Sequence, residues 1–220
     1  MRTLVISDLH LTHRNFNEKK LKYLSDLIEK YDQVIINGDF WCAFTSSFTE
    51  FYTSKWDALF PILKSHKCIY IRGNHDLLEY SDKRVESFCD KYVSSFELKS
   101  EDKTILFVHG HEYAFDWHKS NFEVFIRRLF NLEAITIFVE EMLIKVFGMS
   151  SFLKIYRKFG NELQKKKIDY KDNRLIVMGH THAMENNFEH NYINVGRMGD
   201  WYASYLVIDE ESVVLNFEYF

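Results

Sequence analysis

Five short apolar runs punctuate the chain: Leu4-Val5-Ile6, Val34-Ile35-Ile36, Cys68-Ile69-Tyr70-Ile71, Ile105-Leu106-Phe107-Val108 and Leu175-Ile176-Val177-Met178. They are β-rich and almost free of polar alternation, which predicts strands buried on both faces. Between the first three runs, Leu21, Leu24, Leu27 and Ile28, then Trp56, Leu59 and Phe60, recur at helical spacing. Strand–helix–strand alternation predicts right-handed crossovers and a largely parallel sheet, hence an α/β fold. Towards the end the pattern changes. Tyr192-Ile193-Asn194-Val195, Tyr202–Ile208 and Val213–Phe217 read as consecutive strands, with Asp209-Glu210-Glu211-Ser212 as a hairpin turn. No repeat or low-complexity linker divides residues 1–220, so a single domain is expected.

Residues 115–168 interrupt this alternation. Ile135, Phe138, Val139, Met142, Leu143 and Val146 fall at i, i+3, i+4, i+7, i+8 and i+11. Phe152, Ile155, Tyr156, Phe159 and Leu163 repeat the stripe after Gly148-Met149-Ser150-Ser151, which reads as a turn. A helical hairpin inserted between two strands follows, its stripes packed on each other and on the body. Arg127, Arg128, Glu133, Glu140, Glu141 and Lys145 break the apolar run and exclude a membrane span. From 145 to 168 the insertion carries Lys145, Lys154, Arg157, Lys158, Lys165, Lys166 and Lys167 against Glu162 alone. A basic helix with apolar residues off its stripe suits a lid over an amphiphilic ligand, or peripheral contact with an anionic membrane. A self-packed hairpin or a dimer interface is the alternative.

Charge and cysteine content narrow the class further. With 28 Lys+Arg against 32 Asp+Glu the net charge is −4, which gives no global electrostatic case for nucleic acid. Three cysteines, Cys42, Cys68 and Cys89, form no C-x-x-C pair and argue against a disulfide scaffold or a zinc ribbon. The four-residue run after Met1-Arg2 is too short for a signal-peptide core, so a cytoplasmic location is expected.

Each apolar run ends in residues that ligate metals: Ser7-Asp8-Leu9-His10, Asn37-Gly38-Asp39, Arg72-Gly73-Asn74-His75-Asp76, His109-Gly110-His111 and Gly179-His180-Thr181-His182. In open α/β sheets ligands bind beyond the carboxyl ends of strands, so five segments deliver Asp, Asn and His to one edge. Nitrogen and oxygen donors without thiolate suit Mn²⁺, Fe or Zn²⁺. The supply exceeds one coordination shell, which points to two divalent ions with Asp39 able to bridge them. His111 by itself reads as a neighbour of the ligands.

In this order, D-x-H, G-D, G-N-H-D, H-G-H and G-H-T-H resemble the motif set of the calcineurin-like metallophosphoesterases, from Asp8 to Asn194. The resemblance implies a four-layer α/β/β/α sandwich of two packed sheets. It implies one metal held by Asp8, His10, Asp39 and His182, and a second held by Asp39, Asn74, His109 and His180. His75 would be the catalytic histidine, with Asp76 orienting it or its loop.

Within that family the outline is similar to the UDP-2,3-diacylglucosamine pyrophosphatases. The likeness lies in Asp8-Leu9-His10-Leu11, the His-Gly cluster, a helical insertion before Gly-His-Thr-His, and the closing Tyr192-Ile193-Asn194-Val195-Gly196. The chain departs from that group's pattern at His75, where arginine is usual, and at Gly110-His111, where Gly-Asp is common. The implied activity is hydrolysis of a phosphodiester or pyrophosphate bond in a nucleotide-linked lipid. A nuclease, a cyclic-nucleotide or general phosphodiesterase, and a non-enzymatic interaction scaffold are the alternatives. Arg14, Arg72 and Arg197 flank the motifs as possible phosphate contacts, with a structural role equally open to each. Trp41, Phe44 and Phe48 either wall a substrate pocket or belong to the core.

Overall fold

The computed structural model describes residues 1–99, 103–113, 132–168 and 173–220. Two sheets face each other. The first has six strands in the order β11-β10-β1-β2-β3-β4, with β1 at Thr3–Ile6, β2 at Gln33–Asn37, β3 at Ile69–Ile71, β4 at Lys91–Val93, β10 at Tyr202–Ile208 and β11 at Val213–Tyr219. The second runs β5-β6-β7-β9-β8, with β5 at Ser95–Lys99, β6 at Thr104–Val108, β7 at Leu175–Met178, β8 at Glu185–Asn187 and β9 at Tyr192–Asn194. β1 to β4 pair in parallel, as do β6, β7 and β9, while β10 and β11 close the first sheet antiparallel.

Each central strand is apolar on both faces because each face meets its own core. Val5, Ile35, Ile69 and Ile71 point between the sheets, against Ile105, Phe107, Val177 and Ile193. Their alternates Leu4, Ile6, Val34, Ile36 and Tyr70 point outwards. There they pack under helix α1 (Glu18–Ile28) and helix α3 (Leu59–Ser65), which contribute Leu24, Leu27, Ile28, Leu59 and Leu63. The short helix α2 (Phe48–Tyr52) and the loop before it place Trp41, Phe44 and Phe48 in this same core. On the second sheet Ile176, Met178 and Tyr192 face outwards and meet Ile168. The result is the α/β/β/α sandwich. This is the two-sheet arrangement that the motif resemblance implies: the parallel run of strand–helix alternation ends in β4, and β5 starts the second sheet.

The insertion departs from its expected packing. The range Leu132–Tyr156, here α4, is two helical segments that meet at a kink at Gly148, and α5 follows at Glu162–Lys167. Gly148 lies in the expected turn, and its φ of +80° and ψ of 155° are not helical. The predicted stripe does not pack. Ile135, Phe138, Val139, Met142 and Val146 are exposed, Phe138 to 66%, and in the second stripe so are Ile155 and Phe159. The buried face instead carries Glu140, Ile144 and Phe152, with Ile144 and Phe152 against Tyr202. Helical periodicity defines which residues share a face, whereas the face that docks is set by the partners the body offers.

Candidate metal centre

The five polar segments leave their strands at one edge of the sandwich. The ends of β1 and β2 run side by side, with Asp8 N bonded to Gly38 O and His10 N to Asp39 O. Asn37, the last residue of β2, ties the two sheets together. Its side-chain amide donates to Val108 O and Val177 O, at 3.2 and 3.4 Å, and its carbonyl accepts from the His109 ring at 2.8 Å. Seven described non-glycine residues have positive φ, and Asp8, His10, Asp39, His180 and His182 are five of them. Left-handed backbone costs roughly 1–2 kcal/mol per such residue. Its concentration here is strain accepted to turn side chains inward. Glycines permit the close approach: at Gly38, with φ of +90°, a Cβ would collide with the His109 ring, and at Gly179 with Ser7 and Asp8.

Among the described residues three groups of potential ligand atoms result, Asp8 with His10 and His182, Asp39 with His109 and His180, and His10 with Cys42 and His75, and the first two carry the carboxylates. Asp39 connects them. Its Oδ1 accepts from the His75 backbone N–H at 2.9 Å, which turns Oδ2 towards His109 Nε2 at 3.2 Å and His10 Nε2 at 3.9 Å. Asn74 Oδ1 lies 2.9 Å from His180 Nδ1 and so borders the second group. The Asp8 carboxylate accepts from His180 N–H, and its Oδ1 is 3.6 Å from His182 Nε2.

The donor chemistry fits divalent ions. With His109 Nδ1 donating to Asn37 O, Nε2 is turned to the Asp39 and Asp8 carboxylates, an arrangement that a proton or a metal ion on Nε2 resolves. Burial opposes charge on His109, yet Asp39 and Asp8 outweigh it and raise the ring to about 10. Burial pushes the Asp8 carboxyl up, the cost of an anion removed from water. Burial lowers His10, reinforced by His75, and lowers His180, reinforced by His109, so both rings stay neutral and competent to ligate.

The sequence profile of the calcineurin-like phosphoesterases matches residues 1–184. The chain belongs to the calcineurin-like phosphoesterase family. As a member it is a metal-dependent phosphoesterase, of a family that works with two metal ions. No curated protein sequence matches the chain. Among solved structures it is similar to YfcE, a phosphoesterase from E. coli, at 15% identity over 97% of this chain and 91% of that one, with a TM-score of 0.47. It is similar to an archaeal phosphodiesterase at 16% identity over 99% and 100%, with a TM-score of 0.48. It is also similar to Vps29 from Entamoeba histolytica, at 15% over 100% and 99%, with a TM-score of 0.46. Scores below 0.5 decide nothing further about this phosphoesterase.

His75 lies beside the two ligand groups, its Nε2 3.8 Å from Asp39 Oδ2. Its ring is held by Cys42 Sγ at 3.2 Å from Nδ1 and by the Phe44 ring at 4.3 Å. Asp76 ties its loop down: it accepts from Phe40 N–H, Gly73 N–H and the Tyr70 hydroxyl, buckling the β3 loop onto the β2 loop. His111 stands next to the second group, 5.6 Å from the His109 ring and 6.2 Å from the His180 ring.

The three arginines part ways. Arg14 is exposed and Arg72 lies 5.4 Å from the Tyr92 ring centroid. Arg197 is only 3% exposed, and its guanidinium pairs with Glu140 at 2.9 Å and Glu141 at 3.5 Å. Cys42 and Glu140 are neighbours of the site that the sequence does not mark, since neither lies in one of the five polar segments, whereas Asn37 belongs to the Asn-Gly-Asp segment.

Metal binding to this phosphoesterase should stabilise it measurably. At a free ion concentration one hundred times the dissociation constant, each site adds about 2.7 kcal/mol. At about 2–4 °C per kcal/mol for a chain of this size, that is a rise of roughly 5–10 °C per site. Melting curves with Mn²⁺ and with EDTA check it, and coincident curves would refute metal binding.

Proposed function

We propose that this phosphoesterase cleaves a phosphodiester or pyrophosphate bond of a nucleotide-linked lipid such as UDP-2,3-diacylglucosamine. Asp8, His10, Asp39 and His182 would hold one ion, and Asp39, Asn74, His109 and His180 the other. Oxygen and imidazole donors favour Mn²⁺, with Fe or Zn²⁺ as alternatives. When bound, the two ions activate a water and neutralise charge on the phosphate. His75, fixed by Cys42 and Phe44, directs Nε2 to where it can give a proton to the phosphoryl or leaving-group oxygen. The buried Asp76 buckle keeps that loop in place during turnover.

The observation that carries the lipid reading is a cleft of about 270 Å³ that opens directly at the ligands. His180, Thr181 and His182 form one wall, and Ile155, Tyr156 and Phe159 of the insertion form the other. An apolar wall beside the reacting centre suits an acyl chain, and each buried methylene contributes about 0.8 kcal/mol. The insertion also exposes Phe138, Met142, Val146 and Phe147, with exposed Lys145, Lys154 and Lys158 near them in the chain. That combination fits peripheral attachment to an anionic bilayer, on its cytoplasmic side. Among the described residues no helix is long and apolar enough to cross a membrane.

With Mn²⁺, kcat/KM for UDP-2,3-diacylglucosamine is expected to exceed that for the deacylated nucleotide sugar by at least about tenfold, the worth of two buried methylenes. Phe159→Ala should shrink that ratio while sparing bis-p-nitrophenyl phosphate. Equal turnover of acylated and deacylated substrates, with no sedimentation on phosphatidylglycerol vesicles, would leave a general phosphodiesterase instead.

A further inference from the structure

Helix α4 buries a glutamate and exposes phenylalanines, the reverse of what its composition favours. Glu140 is 4% exposed, and its Oε2 accepts from His182 Nδ1 at 2.8 Å and from Arg197 Nη1 at 2.9 Å. Arg197 follows β9 and is itself buried, with Glu141 of the same helix as its second partner. Three elements distant in sequence therefore meet at one carboxylate: the insertion, the Gly-His-Thr-His loop and the turn after β9.

The consequence concerns His182. In the neutral ring, Nδ1 donating to Glu140 leaves the lone pair on Nε2, and that nitrogen faces Asp8 Oδ1 at 3.6 Å and His10 Nε2 at 3.1 Å. A carboxylate behind an imidazole fixes its tautomer, holds the ring plane and makes the outer nitrogen a stronger donor to a metal. The buried ion pairs of Glu140 also explain why α4 docks on this face, since leaving Arg197 unpaired in the interior would cost several kcal/mol.

We propose that Glu140 is a positioning residue for the metal centre: it sets His182 as a ligand and so makes the helical insertion part of the Asp8–His10–His182 site. Loading of that site and docking of α4 are then linked, each favouring the other. This rests on the metal reading of Asp8, His10 and His182, and is independent of which substrate is cleaved.

Glu140→Gln keeps an acceptor for His182 and tests the charge. Because it also disturbs Arg197, the double variant Glu140→Gln with Arg197→Gln, which removes the stranded cation, is measured beside it. Mn²⁺ binding is titrated by calorimetry and by the loss of the free-ion paramagnetic signal, on folded protein verified by circular dichroism. The wild type should bind two ions. Both variants should weaken one of them by about 10–100-fold and leave the other within about threefold. Hydrogen exchange across 132–156 should slow on Mn²⁺ addition in the wild type and respond less in the variants. A wild type that binds no ion would defeat the metal reading itself. A wild type binding two ions, with both affinities unchanged in the variants, would defeat the Glu140 assignment even if their melting temperatures fell.

Discussion

Asp39→Asn is expected to strip metal and activity together. One oxygen of Asp39, Oδ1, is committed to the His75 backbone N–H, while the other faces His109 Nε2 at 3.2 Å, His10 Nε2 at 3.9 Å and His75 Nε2 at 3.8 Å. Among the central ligands only a carboxylate can hold two ions at once. An asparagine keeps the Oδ1 bond, so the loop should hold, but it presents an N–H₂ where the shared oxygen stood. Metal content measured by mass spectrometry should fall below two per chain. Hydrolysis of bis-p-nitrophenyl phosphate should fall by at least about 10²–10³-fold, the loss expected when charge stabilisation in the transition state is removed. A variant that keeps two ions and full turnover would refute the bridging role.

His75→Ala should give the opposite signature, with metal retained and chemistry lost. His75 is fixed from behind by Cys42 and Phe44, and its backbone N–H is what orients Asp39. Alanine preserves that N–H, so both ligand groups should survive. Without a proton donor at Nε2, kcat is expected to fall by about 10²–10⁴, with KM little changed. The deficit should be smaller for leaving groups of low pKa, such as p-nitrophenol, that depart without a proton. Loss of metal in this variant would make His75 a ligand, and an equal deficit for all leaving groups would remove the acid role.

The chemistry-bearing segments were legible in the sequence because each is local. An apolar run followed at once by Asp-x-His, Gly-Asp, Gly-Asn-His-Asp, His-Gly-His or Gly-His-Thr-His fixes a strand and the polar turn at its end. Parallel pairing of β1, β2 and β3, and of β6 and β7, then brings those turns to one edge. The short strands β4, β5 and β8 were not legible. Lys91–Val93, Ser95–Lys99 and Glu185–Asn187 have no apolar run to mark them, since they border the sheets where only one face is buried.

Local pattern therefore determined the central strands, the polar turns at their ends and the family. The division into two sheets, the single oxygen of Asp39 aimed at both ligand groups, and the docked face of α4 were decided by tertiary structure. The α4 case shows why. Periodicity grouped Ile135, Phe138, Val139, Met142 and Val146 correctly as one face, but a helix turns whichever face its partners stabilise most. Here those partners are His182 and Arg197, 42 and 57 residues beyond Glu140 in the chain. A buried Arg197 left without its carboxylate partners would cost several kcal/mol, and no window of sequence contains Glu140, His182 and Arg197 together.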